Sequence, residues 1–129
     1  MNVLLICLGG AVGTWARWTV GGLAARWFST DFPYGTLIVN VSGSLLIGLV
    51  QQVALNSLAV PEMLRLTLTV GVMGGFTTYS SFSYETLRLV ESGSWAQAAL
   101  NVVLTTALCL LACAVGLGAA RAAGFRGGL

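Results

Sequence analysis

The chain has 129 residues, of which 57% are hydrophobic and 8% are charged, and its net charge is +2. A soluble domain carries about 25% charged residues, so this composition excludes one. The sequence has no histidine, and all six basic residues are arginines, which leaves an intramembrane enzyme without a plausible base. We therefore expect a non-enzymatic integral membrane protein surrounded by lipid bilayer, with no nucleic acid among its partners.

Four apolar segments predict an all-α fold of four transmembrane helices in a single domain, residues 1–129. The predicted helices cover residues 3–28, 34–55, 62–91 and 95–121. Each contains a stretch of about 20 residues with at most one charge, which is the length that crosses a bilayer. Pro33 and Pro61 fit the first turns of the second and third helices. The connections are short and predict antiparallel neighbours.

The amino-terminal segment has to be weighed as a cleaved secretion signal. It has no basic residue before the apolar run and no clear small-residue cleavage site. We therefore expect it to remain as the first helix of a multi-pass protein of the cell (inner) membrane. Cys7, Cys109 and Cys113 all lie in apolar segments. There they suit small buried side chains better than disulfides or metal ligands.

The arginines divide evenly between the two sides of the predicted bundle. With four crossings, one side holds Arg65, Arg121 and Arg126, and the other holds Arg17, Arg26 and Arg88. Equal numbers leave the positive-inside rule without a bias. One interpretation is insertion in both directions, which implies an antiparallel homodimer. The alternative is insertion in one direction for a reason that the charges do not reveal.

Two glycine pairs have the spacing of close helix contacts. Gly9 and Gly13 are one helical turn apart in the first predicted helix, and Gly71 and Gly75 have the same spacing in the third. Small residues at this spacing let membrane helices approach closely. We expect both pairs to pack against another helix.

The stretch 74–85, GGFTTYSSFSYE, places a glycine pair and many hydroxyls where lipid-facing apolar residues are expected. Gly74 and Gly75, followed by Thr77 and Thr78, predict a break in the third helix near 74–78. The end of the first half would expose carbonyl groups suited to a cation, and the start of the second half would expose N–H groups. The alternative is an unbroken helix whose threonines bond to their own backbone.

The second half of this helix carries aromatic and hydroxyl side chains together. Tyr79 and Phe82 are three residues apart and share a face, while Thr78, Ser81 and Glu85 lie on an adjacent face. Aromatic rings have positive edges, and hydroxyls donate hydrogen bonds. This segment can therefore attract an anion without a fixed positive charge. Ordinary packing of the two rings is the alternative.

Polar residues on two other helices extend the pattern. Asn40 lies deep in the second helix, where an amide group needs a partner. In the fourth helix, Asn101, Thr105, Cys109 and Cys113 recur every four residues. Such a stripe fits either helix packing or the wall of an ion pathway. Together with Asn40 and the hydroxyl run, it favours a pathway.

Two long motifs resemble those of the Fluc (CrcB) family of fluoride channels. They are Gly35-Thr36-Leu37-x-x-Asn40-x-x-Gly43 and Gly71-x-x-Gly74-Gly75-Phe76-Thr77-Thr78-Tyr79-Ser80-Ser81-Phe82-Ser83-x-Glu85. Gly13-x-x-x-Arg17-Trp18 in the first helix also fits. The resemblance therefore spans nearly the whole chain.

The resemblance implies a fluoride-selective channel that lets cytoplasmic fluoride leave passively down its electrochemical gradient. The implied assembly is an antiparallel, dual-topology homodimer with two pores. The implied fluoride pathway contains Asn40, Tyr79, Ser80, Ser81, Phe82, Asn101 and Thr105. A structural Na⁺ that is not transported is implied at the dimer centre, held by backbone carbonyls of Gly74 and Thr77 from both subunits. Arg17 and Glu85 are candidates for the pore vestibule.

The sequence departs from the family pattern in two places. Tyr79 stands where the family usually has phenylalanine, and Cys109 and Cys113 are less polar than the serine or threonine often found there. The rival hypothesis is a small multidrug exporter, which is also a dual-topology dimer of four-helix chains. Such an exporter needs a carboxylate deep in the membrane. The first helix has none, and Glu85 sits toward a helix end.

Overall fold

The fold is all-helical in the part of the chain that the structure, a computed structural model, describes: residues 2–57 and 60–125. In chain order the elements are α1 (Asn2–Trp27), α2 (Tyr34–Asn56), α3 (Glu62–Leu66), a π-helical segment (Thr67–Met73), α4 (Gly74–Phe76), α5 (Tyr79–Glu91) and α6 (Trp95–Ala122). The segments from α3 to α4 run on without interruption and form the first half of the third helix. Helix α5 is its second half. The expectation of four helices with an interrupted third one is confirmed.

Three elements, α1, α2 and α6, are each long and apolar enough to cross a membrane. The third helix has no continuous stretch of that length, because its halves end at Phe76 and begin at Tyr79. Large apolar side chains such as Trp15, Val103 and Leu110 are exposed on the outside of the bundle. Such a surface suits contact with lipid, as expected for an integral membrane protein.

Glycines bring α1 against the first half of the third helix, as their spacing predicted. A Cβ atom on Gly9 would lie 2.7 Å from the carbonyl oxygen of Thr67, and one on Gly71 would lie 2.7 Å from the carbonyl oxygen of Ile6. Gly13 and Gly75 are crowded even more closely by backbone atoms of the facing helix. No side chain larger than hydrogen fits at these points, so the two backbones touch directly.

A second close contact joins α2 and α6, which pack along most of their length. Gly48 of α2 faces the backbone of Cys113, and Gly116 of α6 faces the backbone of Leu45. A Cβ atom on Gly116 would also lie 2.9 Å from the backbone nitrogen of Leu49. This contact could not be predicted from spacing, since the two glycines lie on different helices with no repeat between them.

The break in the third helix lies at Thr77 and Thr78, just after the glycine pair. Thr77 (φ −75°, ψ 154°) and Thr78 (φ −150°, ψ 105°) are extended, whereas Gly74 is helical (φ −64°, ψ −37°). The unbroken alternative is therefore wrong. The glycines themselves do not unwind the chain, since both lie in α4, and Gly75 instead allows close contact with the backbone of Gly10. The π-helical segment was not predicted, and we have no physical account of it from the sequence.

Candidate functional site

A side chain from α2 bridges the break in the third helix. The Nδ2 amide group of Asn40 donates a hydrogen bond to the carbonyl oxygen of Thr78 (3.0 Å), and the backbone N–H of Thr78 donates to Oδ1 of Asn40 (2.8 Å). Asn40 and Thr78 are only 8% and 7% exposed. The partner that Asn40 required is therefore the unwound backbone itself.

Gly43 lets α2 come close enough for this pairing. It lies three residues after Asn40, on the part of α2 that faces the break. A Cβ atom on Gly43 would lie 3.2 Å from Cδ1 of Phe76 and would clash with the side-chain methyl group of Thr77. The glycine therefore places the amide of Asn40 within reach of Thr78.

The break leaves carbonyl groups at the end of α4 without helical partners. The carbonyl oxygen of Met73 accepts from both the backbone N–H and the hydroxyl of Thr77, each at 2.9 Å. Within residues 2–57 and 60–125, no backbone hydrogen bond outside the helices reaches the carbonyl oxygen of Gly74 or Thr77. Neutral oxygens at an unwound helix end suit a cation. The same described residues contain no cluster of three or more His, Cys, Asp or Glu side chains that would form a different metal site.

A cavity of about 480 Å³ lies beside the break, between α2, both halves of the third helix and α6. Four of the predicted pathway residues line it, as do both residues of the predicted cation site. These residues are Asn40, Tyr79, Phe82, Thr105, Gly74 and Thr77. Ser80, Ser81 and Asn101 are not among the lining residues. The structure therefore brings together the centre of the predicted site and leaves three of its residues outside the cavity.

Ser80 and Ser81 lie at the start of α5, next to the break. Thr78 caps this helix: its hydroxyl oxygen accepts from the backbone N–H of Ser81 (3.2 Å) and its hydroxyl group donates to Oγ of Ser81 (3.0 Å). The hydroxyl of Ser80 is 3.2 Å from that of Thr78. These hydroxyls thus form a capping cluster that satisfies the helix end.

Asn101 lies behind the cavity and joins α6 to α5. Its Nδ2 group donates to Oγ1 of Thr86 (2.9 Å), and Thr86 in turn donates to the carbonyl oxygen of Phe82 (2.7 Å). Thr105 donates to Oδ1 of Asn101 (3.3 Å). Asn101 is 1% exposed and is packed between the two helices in this structure. Of the four residues in the predicted polar stripe on α6, Thr105 and Cys109 line the cavity.

The two candidates for the pore vestibule, Arg17 and Glu85, do not line this cavity. Glu85 accepts a hydrogen bond at Oε1 from the hydroxyl of Thr36 (2.8 Å), while its Oε2 is buried without a hydrogen-bond partner in the described structure. Glu85 and Thr36 line a separate cavity of about 240 Å³ near the connection from α1 to α2. Arg17 is half-buried on α1 and makes no ion pair with any residue that the structure describes.

Comparison with known proteins identifies the family. The model of the CrcB-like protein, Camphor Resistance (CrcB) family matches residues 4–117. The chain belongs to the CrcB family.

Curated relatives in this family share about half of their residues with the chain. A fluoride-specific ion channel FluC from Anaeromyxobacter sp. (strain K) is 56% identical over 111 residues, which are 86% of this chain and 88% of the relative. The proteins of the same name from Sorangium cellulosum (strain So ce56) and Geobacter sulfurreducens (strain ATCC 51573 / DSM 12127 / PCA) are 49% and 47% identical. These alignments cover 90% and 93% of this chain, and 91% and 97% of the respective relatives.

The cavity of this CrcB-family chain also contains hydroxyls that the sequence analysis missed, on Ser44, Thr69 and Thr106. Thr69 donates to the carbonyl oxygen of Arg65 within its own helix (2.8 Å). Ser44 and Thr106 make no hydrogen bond to any described residue, so their donors are free to turn into the cavity. Their spacing in the sequence could have indicated two of these residues. Ser44 lies one helical turn after Asn40, and Thr106 directly follows Thr105.

Proposed function

We propose that this chain is a fluoride channel of the cell membrane, through which cytoplasmic fluoride leaves passively down its electrochemical gradient. The observation that carries the proposal is the 56% identity, over 86% of the chain, to a relative named a fluoride-specific ion channel. Apolar helices of spanning length and a polar-lined cavity of about 480 Å³ support it. Removal of fluoride by this route would protect the cell from fluoride toxicity.

The physical demand on such a pathway is to replace the water around the anion. Moving a carboxylate-sized ion into a medium of low dielectric constant costs on the order of 20 kcal/mol, and fluoride is smaller. The cavity offers neutral donors in place of water. They are the hydroxyls of Ser44 and Thr106, together with the second N–H of the Asn40 amide, which the bond to Thr78 leaves unused. Neutral donors stabilise the ion without trapping it.

Phe82 gives this pathway an electrostatic element that is not a hydrogen bond. Its ring is 8% exposed and lines the cavity beside Tyr79 and Thr105. The positive edge of a buried ring attracts an anion that has lost its water. In the proposed route, fluoride passes the edge of Phe82 and moves between Ser44, Thr105 and Thr106, while Ser80 and Ser81 hold the start of α5 in place.

The proposed assembly is an antiparallel homodimer of chains inserted in both orientations. Its support is the equal division of the arginines, of which Arg126 lies outside the described residues. In a single chain, Tyr79 is 79% exposed and Gly74 is also exposed beside the cavity. A second copy would cover both. The carbonyl oxygens of Gly74 and Thr77 from the two subunits would together hold a structural Na⁺, which would offset the negative ends of the facing half-helices.

Ion efflux from liposomes tests the proposed function. The purified protein is reconstituted, the vesicles are loaded with fluoride or chloride, and efflux is followed with ion-selective electrodes. Fluoride is expected to leave rapidly and chloride to stay, relative to vesicles without protein. Equal efflux of the two anions would contradict fluoride selectivity. Proton-coupled movement of a cationic dye in place of fluoride efflux would favour the exporter.

A further inference from the structure

The hydrogen bonds of Thr78 determine which backbone carbonyl groups at the break are free to bind an ion. In a continuous α-helix, the N–H of Thr78 would donate to the carbonyl oxygen of Gly74, four residues earlier. Here the Thr78 N–H donates to Oδ1 of Asn40 instead (2.8 Å). Asn40 therefore takes the donor that would otherwise occupy the Gly74 carbonyl.

Water cannot easily take the place of the Asn40 side chain at Thr78, because Thr78 is buried and does not line the cavity. Both partners of the pairing are more than nine-tenths buried, and Gly43 keeps α2 in contact with Phe76 and Thr77. Loss of the amide would leave the N–H of Thr78 without a partner in a membrane interior, where unsatisfied polar groups are costly. The nearest remedy within the chain is the helical bond from Thr78 to Gly74. That bond would close the break and use up the Gly74 carbonyl oxygen.

We propose that Asn40 is a positioning residue that keeps the Gly74 carbonyl free for a cation, and thereby couples the cation site to the anion pathway. The inference rests on the proposed function and assigns Asn40 a second role in it. The amide oxygen of Asn40 holds the break open, while Asn40 also lines the cavity and keeps one N–H that no described residue accepts. One side chain on α2 thus acts on both ions, although it contacts only the backbone of Thr78 at the break.

The test compares two substitutions that differ in one property, the ability to accept a hydrogen bond from Thr78. Asn40→Leu removes the acceptor, whereas Asn40→Asp keeps an acceptor oxygen and removes the donor. The readout is the Tm of the purified protein in Na⁺ and in N-methylglucamine at equal ionic strength, together with fluoride efflux from the same preparation. Asn56→Leu is the matched control on the same helix, since the Asn56 amide donates within α2 to the carbonyl oxygen of Gln52 (2.7 Å).

The expected result is that Na⁺ raises the Tm of the wild type, of Asn56→Leu and of Asn40→Asp, and that Asn40→Leu loses this rise. A full rise in Asn40→Leu would overturn the proposal and leave Asn40 as an ion ligand only. If the Tm of Asn40→Leu is lower by the same amount in both salts, so that Na⁺ still raises it fully, the role of Asn40 is purely structural. That result would also overturn the proposal. If Asn40→Leu does not fold, the test depends on Asn40→Asp. Absence of a Tm increase in Na⁺ for Asn40→Asp would contradict the proposal.

The failure of this inference can be distinguished from failure of the proposed function. A wild-type protein whose Tm does not respond to Na⁺ overturns the coupling, whereas selective fluoride efflux by the same protein still supports the channel. Absence of fluoride efflux from a well-folded wild type contradicts the channel itself, whatever the effect of Na⁺ on Tm.

Discussion

The rings of Tyr79 and Phe82 lie side by side on α5, with their centroids 5.3 Å apart and their planes at 50° to each other. Their surroundings differ sharply, because Tyr79 is 79% exposed and Phe82 is 8% exposed. The sequence predicted that the two residues share a face. The difference in burial predicts that Phe82 stabilises an anion more than Tyr79 does. The positive edge of a ring attracts an anion most strongly where water is absent.

Phe82→Ile is therefore expected to reduce fluoride efflux severely while the protein still folds. Isoleucine retains most of the apolar volume and loses the positive ring edge, and swaps of similar apolar volume usually cost less than about 1.5 kcal/mol of stability. Efflux normalised to folded protein measures the effect. Tyr79→Phe is the control, because it keeps the ring and removes only an exposed hydroxyl, and it should be nearly silent. Normal efflux in Phe82→Ile would show that the ring only packs and that fluoride moves elsewhere.

Gly75→Val is expected to prevent stable folding. The added Cβ atom would run into the carbonyl group of Gly10, at the contact between α1 and α4. Backbone cannot give way as a flexible side chain can, so the cost should reach or exceed the about 1–3 kcal/mol typical of overpacking. Gly22→Ala on α1 is the control, since its Cβ atom would meet nothing within 4 Å. Gel filtration and Tm measure the result, and a Gly75→Val protein as stable as Gly22→Ala would contradict the close contact.

The proposed dual topology predicts that added charge will bias insertion. About three lysines added to the amino terminus should hold that end in the cytoplasm, because basic residues near a membrane helix resist translocation. Efflux should fall, since chains of one orientation lack antiparallel partners. Reporter fusions at the carboxyl terminus measure orientation, and an extension of three glutamines is the control. A reporter on one side only in the unmodified protein would contradict insertion in both directions.

The features that could be predicted from the sequence are those that depend on local spacing. Long apolar segments predicted the helices, glycines one turn apart predicted the contact of α1 with the third helix, and a three-residue interval paired Tyr79 with Phe82. The exact position of the break could not be predicted from local spacing, because its backbone is bonded to Asn40, which is 38 residues from Thr78 in the chain. Asn101 was likewise placed on the pathway, whereas its bond to Thr86 on a neighbouring helix holds it behind the cavity.

Ser44 provides the last test, because it is a cavity hydroxyl that no described residue engages. Ser44→Ala removes one donor from the proposed route and changes the volume of the side chain by a single oxygen. A hydrogen bond to a charged group contributes about 1.5–3 kcal/mol. This bond should stabilise fluoride most where the ion is least hydrated, at the barrier to its movement. Without it, efflux should fall by roughly 10- to 100-fold.

Ser42→Ala is the matched control for this test. Ser42 lies on the same helix, and its hydroxyl donates within that helix to the carbonyl oxygen of Ile38 (2.7 Å). Its loss should leave efflux unchanged, and Tm should be similar in both variants because neither removes apolar packing. Equal efflux from Ser44→Ala and the wild type would show that fluoride does not approach α2 at this level. The route would then have to follow α6, past Thr105 and Thr106.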